Sequence, residues 1–118
     1  MRGIVLFGHG SRDAAWRQPI EAVAARIAQR APGTPVRCAY LELCAPDLAT
    51  VTAELVALGV DELRLLPMFL GMGRHAREDL PALVQALQAR HGGLRVQVLP
   101  PVGEHPRALD LFAELAVL

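Results

Sequence analysis

Gly3-Ile4-Val5-Leu6-Phe7-Gly8 is a continuous apolar run between two glycines near the start of the chain, and His9-Gly10-Ser11-Arg12 follows it directly. A short apolar run of this kind, bounded by turn-forming residues, is typical of a strand that is buried on both faces. Strands buried on both faces belong mostly to parallel sheets that helices cover. The stretch therefore predicts a buried strand that ends in a polar turn.

Downstream of this strand the chain alternates between extended and helical patterns. Apolar runs closed by glycine or proline predict three further strands, over about 35–41, 62–68 and 94–99. Apolar periodicity and flanking prolines and glycines predict helices over about 13–30, 46–58, 75 or 79 to 91, and 106–115. Pro19 either begins the first helix or kinks a longer one. Pro81 is expected only in a first helical turn, because an interior proline removes a backbone hydrogen bond.

This β-α-β-α-β-α-β-α order predicts an α/β fold, with one three-layer domain over residues 1–118. Helices would cover both faces of a four-stranded parallel sheet, for which the flavodoxin-like strand order is 2-1-3-4. Ligands of such sheets bind beyond the carboxyl ends of the strands, where the strand order reverses. A site is therefore expected between the ends of the first and third strands.

The composition excludes several classes of protein. Of 118 residues, 53% are hydrophobic and 20% are charged, which excludes intrinsic disorder. The twelve basic residues are all arginine and are balanced by twelve acidic residues, so we expect no nucleic-acid partner and no lysine-based chemistry. No apolar run reaches the ~18 residues of a membrane span and no leader precedes the first strand. We therefore expect no membrane partner and a cytoplasmic location.

Both loops at the predicted reversal of strand order carry a histidine, glycines and an arginine. His9 lies between two glycines after the first strand, and His75 follows Gly71-Met72-Gly73-Arg74 after the third. Glu42 lies at the carboxyl end of the second strand. We expect the three side chains to converge on one crevice. The sequence leaves open that His75 is an exposed residue of a first helical turn and that Glu42 is a surface acid.

Two histidines and a carboxylate suit a divalent transition metal. A closed structural zinc site needs four ligands, so His9, His75 and Glu42 predict an open site that holds a metal ion in transit or during a reaction. The nearby Arg12, Arg74 and Arg77 suit carboxylates or phosphates, which guanidinium groups bind as a fork. Together with the apolar residues of the second loop, they predict a planar, polyanionic ligand beside the metal.

The other candidate ligands have plainer interpretations. Cys38 and Cys44 are six residues apart, which is not the C-x-x-C spacing of a metal or redox site, and we expect them to be small buried apolar residues. His91 lies in the last turn of a predicted helix, where a cation complements the helix dipole. His105 precedes Pro106 and is expected at the start of the last helix.

Two motifs resemble those of a known family. Val5-Leu6-Phe7-Gly8-His9-Gly10-Ser11-Arg12 resembles the N-terminal signature of the class II tetrapyrrole chelatases. The stretch from Pro67 to Pro81 resembles their F-L-x-x-G-x-H-x-x-x-D-[IL]-P motif. The resemblance covers essentially the whole chain and is strongest to the short-form, CbiX-like sirohydrochlorin chelatases.

This resemblance implies a chelatase-like fold and the insertion of Co²⁺, or Fe²⁺ or Ni²⁺, into sirohydrochlorin in cobalamin or siroheme biosynthesis. His9 would bind the metal and accept a proton, and His75 would be a second catalytic ligand. The residues expected to contact the substrate are Ser11, Arg12, Leu70, Gly71, Met72, Gly73 and Arg74. The metal would be a substrate, with no permanently bound cofactor, and the chain would form a homodimer.

Several alternatives stay open at this point. Ser11 would serve equally as the cap of the following helix. Ala45 stands where the family often has an acidic residue, which puts a carboxylate contact there in doubt. The apolar last helix fits either a core or an interface. A non-catalytic metal or tetrapyrrole carrier, or a histidine-dependent phosphoryl-transfer enzyme, would use the same residues.

Overall fold

The computed structural model describes the whole chain, Met1–Leu118, as one α/β domain. The helices and strands are β1 (Arg2–Gly8), α1 (Gln18–Arg30), β2 (Val36–Tyr40), α2 (Leu48–Ala57), β3 (Glu62–Pro67), α3 (Arg74–Arg90), β4 (Arg95–Val98) and α4 (Pro106–Val117). The four strands form one parallel sheet in the order β2-β1-β3-β4. The predicted fold class and strand order are confirmed.

The first apolar run forms the centre of this sheet. Val5, Leu6 and Phe7 are all at most 1% exposed, because β1 pairs with both β2 and β3 and carries packed residues on both faces. Leu6 packs with Ile20 and Tyr40 towards α1. The opposite face builds the main core with α2 and α3, from Val5, Phe7, Ala39, Leu48, Val51, Leu55, Val60, Leu63, Leu65, Leu80, Leu87 and Leu94.

Two helix starts differ in detail from the sequence patterns. A 3₁₀ helix over Ala14–Arg17 precedes α1. Pro19 lies in the first turn of α1, so the interpretation that it begins the helix is confirmed, and the kink is excluded. The helix α2 begins at Leu48 and not at Pro46, because the Asp47 carboxylate accepts a hydrogen bond from the Thr50 N–H at 2.8 Å and caps it. The side chain of Thr50, and then its N–H, lower the pKa of Asp47 by hydrogen bonding to the carboxylate.

The expectation for Pro81 is wrong. The helix α3 begins at Arg74, so Pro81 is its eighth residue and lies in the interior. Proline there removes one helical hydrogen bond. The turns before it are held by tertiary packing, because Ala76 and Leu80 are 5% and 3% exposed. Burial of one apolar face outweighs the local preference, as it does for most helices in folded proteins.

The last helix is the exception to this packing. None of its residues is buried, and the element it contacts most is the short 3₁₀ turn over Val102–Glu104. Its exposed apolar side chains are Leu109, Leu111, Phe112, Leu115 and Val117. The core interpretation of α4 is therefore excluded within a single chain.

No helix in the structure is both long enough and apolar enough to cross a membrane.

Candidate functional site

The carboxyl ends of β1, β2 and β3 meet at one edge of the sheet, and an open cavity of about 440 Å³ lies there. Its lining is His9, Leu41, Glu42, His75 and Asp79. The three residues predicted from the strand ends thus share one cleft. This convergence follows from the strand order, since β1 lies between β2 and β3 and all three point the same way.

His9 and Glu42 form the one direct contact among the predicted ligands. The Nε2 atom of His9 lies 3.0 Å from Oε1 of Glu42. The backbone sets this pair, because Leu41 N–H donates to the Gly8 carbonyl and Glu42 N–H donates to the His9 carbonyl, which extends the pairing of β1 and β2 past their ends. The two side chains are 51% and 55% exposed, so a ligand can reach both.

Gly10 permits this close approach of the two loops. Its φ of +110° lies in the region that side-chain-bearing residues rarely adopt. A Cβ atom at Gly10 would overlap the carbonyl oxygen of Glu42 and lie 2.8 Å from the carbonyl carbon. The glycine after His9 is therefore required by contact with the loop that carries Glu42.

His75 lines the same cleft from the start of α3. It is exposed in the first turn of α3, after Gly73 at the helix N-cap. No three histidine, cysteine, aspartate or glutamate side chains in the structure lie close enough to hold one metal ion. His9 and Glu42 are thus in contact, whereas His75 lines the cleft without joining them in a three-ligand cluster. The predicted ligand set of three stays a prediction.

Two residues of the site belong to the motif after the third strand, but the sequence patterns did not assign them these contacts. Asp79 lines the cleft one helical turn after His75, a spacing of four that places both on one helix face. The ring centroid of Phe69 lies 6.3 Å from that of His9 and 6.2 Å from that of Phe7. One side of the His9 imidazole therefore packs against an aromatic ring. The motif and the spacing to His75 would have indicated Asp79, whereas Phe69 was expected near the ligand but not in contact with His9.

The predicted substrate residues differ in their surroundings. Arg12 is exposed and has no ion pair, and the Nε of Arg74 donates to Glu78 at 3.1 Å. Arg77 lines a separate groove along α3 instead of the cleft. The Ser11 hydroxyl accepts a hydrogen bond from the Asp13 N–H, and Asp13 caps the 3₁₀ helix that follows.

The loop of residues 70–74 is held at its start by contacts with the turn that contains Gly103, and its later residues are more exposed. Gly103 N–H donates to the Phe69 carbonyl at 2.9 Å, and a Cβ atom on Gly103 would overlap the backbone of Leu70. The Leu70 side chain is 73% exposed, and Met72 is partly buried against the main core. The loop thus presents an apolar side chain to solvent beside the cleft.

The remaining candidate ligands lie outside the cleft. Cys38 and Cys44 are partly buried beside Tyr40, instead of fully buried as expected. Burial, with a contribution from the charge of Glu21, raises the pKa of the Cys38 thiol, which disfavours the thiolate that metals bind. Burial likewise raises the pKa of Tyr40 to about 12. His105 caps α4, since its Nδ1 accepts from the Arg107 N–H at 3.1 Å, as the sequence predicted.

Comparison with known proteins gives concordant matches. The CbiX family model matches residues 3–117. The chain is 28% identical over 123 residues to the sirohydrochlorin cobaltochelatase of Methanococcoides burtonii, an alignment that covers 98% of this chain and 94% of that protein. It is 32% identical over 84 residues to the sirohydrochlorin cobaltochelatase of Methanopyrus kandleri, of which the aligned part spans 59%.

Solved structures agree with the fold. A putative cobalamin (vitamin B12) biosynthesis CbiX protein from Marinobacter aquaeolei VT8 matches with a TM-score of 0.84 and 34% identity over 99% of this chain and 94% of that one. The sirohydrochlorin chelatase SirB from Bacillus subtilis subspecies spizizenii, in complex with cobalt, matches with a TM-score of 0.82 and 21% identity. That match covers 99% of this chain and 50% of SirB, which is similar in fold.

Proposed function

The chain belongs to the CbiX family, and from that premise we propose that it inserts a divalent metal ion into sirohydrochlorin. One observation carries the proposal. His9, Glu42 and His75 arrive from three different strand ends and line one open cleft at the carboxyl edge of the sheet. The metal is a substrate, Co²⁺ is the ion we expect to be inserted fastest, and the protein needs no permanently bound cofactor.

The reaction requires the site to hold a metal ion weakly and to take protons from the ring. Insertion forms metal–nitrogen bonds to the tetrapyrrole and releases two pyrrole N–H protons. A site with few ligands suits this task, because a closed four-ligand site would oppose release of the ion. We therefore expect His9 and His75 to hold the metal only until the ring nitrogens replace them, with Glu42 hydrogen-bonded to His9.

The contact between His9 and Glu42 assigns separate tasks to the two imidazole nitrogens. A carboxylate oxygen 3.0 Å from Nε2 accepts a hydrogen bond when Nε2 carries a proton, and Nδ1 then has a free lone pair for metal. After the ion has moved into the ring, the same Nδ1 lone pair accepts one of the two pyrrole protons, and the other passes to solvent in the open cleft. The Glu42 carboxylate then lies next to the resulting positive charge.

The proposal is tested by anaerobic spectrophotometry of sirohydrochlorin with Co²⁺, Fe²⁺ and Ni²⁺, each with and without the protein. We expect the protein to accelerate insertion and the relative rates to rank the metals. Tight tetrapyrrole binding without acceleration by any metal would favour the carrier alternative. Formation of phosphohistidine, at a rate that added tetrapyrrole does not change, would favour the phosphoryl-transfer alternative. The cytoplasmic location stays a prediction.

Arg74 is proposed to orient a substrate carboxylate at the cleft rim. Its side chain is 83% exposed and its ion pair with Glu78 is therefore weak, so the guanidinium is free to change partner. We expect Arg74→Ala to raise the KM for sirohydrochlorin about tenfold, the scale of one lost hydrogen bond to a charged group, and to leave the KM for the metal unchanged. Arg30→Ala, which removes an exposed arginine outside the cleft, is the matched control.

A second copy of the chain is proposed to cover the exposed helix α4. Leu109, Phe112 and Leu115 are 51%, 42% and 58% exposed, and together they form an exposed apolar face. Contiguous exposed apolar surface of this kind marks interaction sites. A homodimer formed through α4 would bury it.

Phe112→Glu tests this dimer by light scattering of the purified protein. An aromatic residue at the centre of such a face is expected to act as an interface anchor, so we expect dimer affinity to fall about 30-fold or more. Leu58→Glu, at an equally exposed leucine on the end of α2, should leave the dimer intact. A monomeric wild-type chain, or a dimer that tolerates Phe112→Glu, would contradict the proposal.

A further inference from the structure

An open apolar groove of about 410 Å³ lies beside α1, on the face of the sheet opposite to the main core. Its lining comes from the segment around the start of α1 and from the end of β3, and consists of Ala15, Trp16, Pro19, Ile20, Val23 and Met68. Trp16 is the only tryptophan of the chain and is 37% exposed. The groove therefore leaves an indole and several aliphatic side chains open to solvent.

Beside this groove, two strands of the sheet are incompletely covered. Leu66 of β3 lies opposite Leu6 in the register, so it shares the face on which α1 packs against β1 and β2. On that face Arg64 and Leu66 are only half-buried, and Arg95 and Gln97 of β4 are exposed. Parallel sheets normally have helices over both faces. This face therefore has room for a second helix next to α1.

The helix α4 has the shape and the surface to fill this space. None of its residues is buried, and the spacing of three between Leu109, Phe112 and Leu115 places these exposed side chains along one side. Its 12 residues span about 18 Å. The six residues of β3 span about 20 Å, so one such helix can cover the strand along its length.

Unpaired charges on the two surfaces are opposite in sign. Asp110 and Glu114 are exposed on α4 and make no ion pair within the chain, and Arg64, in the same row of β3 as Leu66, makes none either. Such pairs at the edge of an interface add little affinity but favour one orientation of the partners. The apolar contact would supply the affinity, and these charges would set the direction of the helix.

From these matching surfaces we propose that α4 of one copy packs into the groove between α1 and β3 of a second copy, and that the two copies exchange this helix reciprocally. The inference rests on the homodimer proposed above and not on the insertion reaction. Reciprocal exchange closes the assembly at two copies, because each groove is filled by the other copy's helix. A Cβ atom at Gly8 would lie 3.3 Å from the Trp16 indole, so the exchanged helix would adjoin the strand end that carries His9.

Trp16 makes occupation of the groove directly measurable, since an indole emits at longer wavelengths in water than in apolar surroundings. We expect the fluorescence of the wild-type full chain to shift to longer wavelengths on dilution, over the concentration range in which light scattering shows the dimer dissociating. Phe112→Glu should show the shifted emission at every concentration. Leu58→Glu, at an exposed leucine on the end of α2, should behave as the wild type.

Ala15→Glu tests the groove without altering α4. Ala15 is exposed in the single chain, so the substitution should not disturb folding, but it places a charge against the exchanged helix. We expect dimer affinity to fall about tenfold or more, whereas Ala25→Glu, at an exposed alanine of α1 outside the groove, should leave it unchanged. A mixture of Ala15→Glu and Phe112→Glu should dimerise more tightly than either alone, because a mixed pair keeps one intact helix in one intact groove.

Emission that stays constant while the dimer dissociates, or an Ala15→Glu chain that dimerises like the wild type, would overturn the exchange and leave a dimer in which α4 packs elsewhere. A monomer whose Trp16 is shielded until Phe112 is replaced would overturn it too, because α4 would then cover the groove of its own chain. A monomeric wild type with an open groove would overturn both the exchange and the dimer. These measurements use neither metal nor tetrapyrrole, so a failure of the insertion reaction is distinguished from them. Circular dichroism establishes that each variant is folded.

Discussion

His9→Ala is expected to lower the rate of metal insertion by about 10³-fold, which is the scale of a lost proton acceptor, and to leave the fold intact. The substitution removes the one imidazole that contacts a carboxylate in the cleft, and with it the nitrogen proposed to bind metal and then accept a proton. The side chain is 51% exposed, so its removal leaves no buried cavity. The measurement is single-turnover insertion of Co²⁺ into sirohydrochlorin, followed by absorbance.

His91→Ala is the matched control for this experiment. His91 follows the end of α3, outside the cleft, and its substitution should leave the insertion rate within about twofold, as for residues remote from a site. Because the His9 position opens to solvent, added imidazole is expected to restore part of the rate in His9→Ala and none in a variant that fails for structural reasons. Insertion at the wild-type rate by His9→Ala would remove His9 from the mechanism.

The convergence of His9, Glu42 and His75 could be predicted from the sequence because topology alone places them. Three parallel strands that end in polar residues bring those residues to one edge, and the order 2-1-3-4 makes the first strand central. The contact between His9 and Glu42 could not be predicted. It depends on a register in which Gly8 lies opposite Tyr40 and on backbone pairing that continues past both strand ends.

The wrong predictions share a cause: they concern residues whose conformation is set by contacts in the folded chain and not by local sequence preferences. Pro81 lies in a helix interior since buried neighbours hold the turns before it. Asp47, and not Pro46, sets the start of α2 through a side-chain hydrogen bond. Asp79 belongs to the motif after the third strand, but its place in the cleft was not predicted, because the site was inferred from strand ends and Asp79 lies within a helix.

Gly10→Ala is expected to have the largest effect on stability and a large effect on activity. An alanine there would combine a φ of +110° with overlap between its Cβ and the Glu42 carbonyl, and backbone strain and overpacking together cost about 3 kcal/mol. The melting temperature should fall by roughly 10 °C. Relief of the overlap requires the loop of Glu42 to move away from His9, and a displacement of about 1 Å at a reacting group costs on the order of 10²-fold in rate.

Gly59→Ala separates the two causes of this effect. Gly59 also has a positive φ, +102°, but a Cβ there would meet no atom within 4 Å. It should therefore show only backbone strain, about 1 kcal/mol, with the insertion rate per folded molecule unchanged. A Gly10→Ala chain that melts and reacts like Gly59→Ala would show that the two loops tolerate separation. In that case Gly10 would not be needed for the contact between His9 and Glu42. A loss of rate in Gly10→Ala, but not in Gly59→Ala, would show that Gly10 maintains the geometry of the metal site.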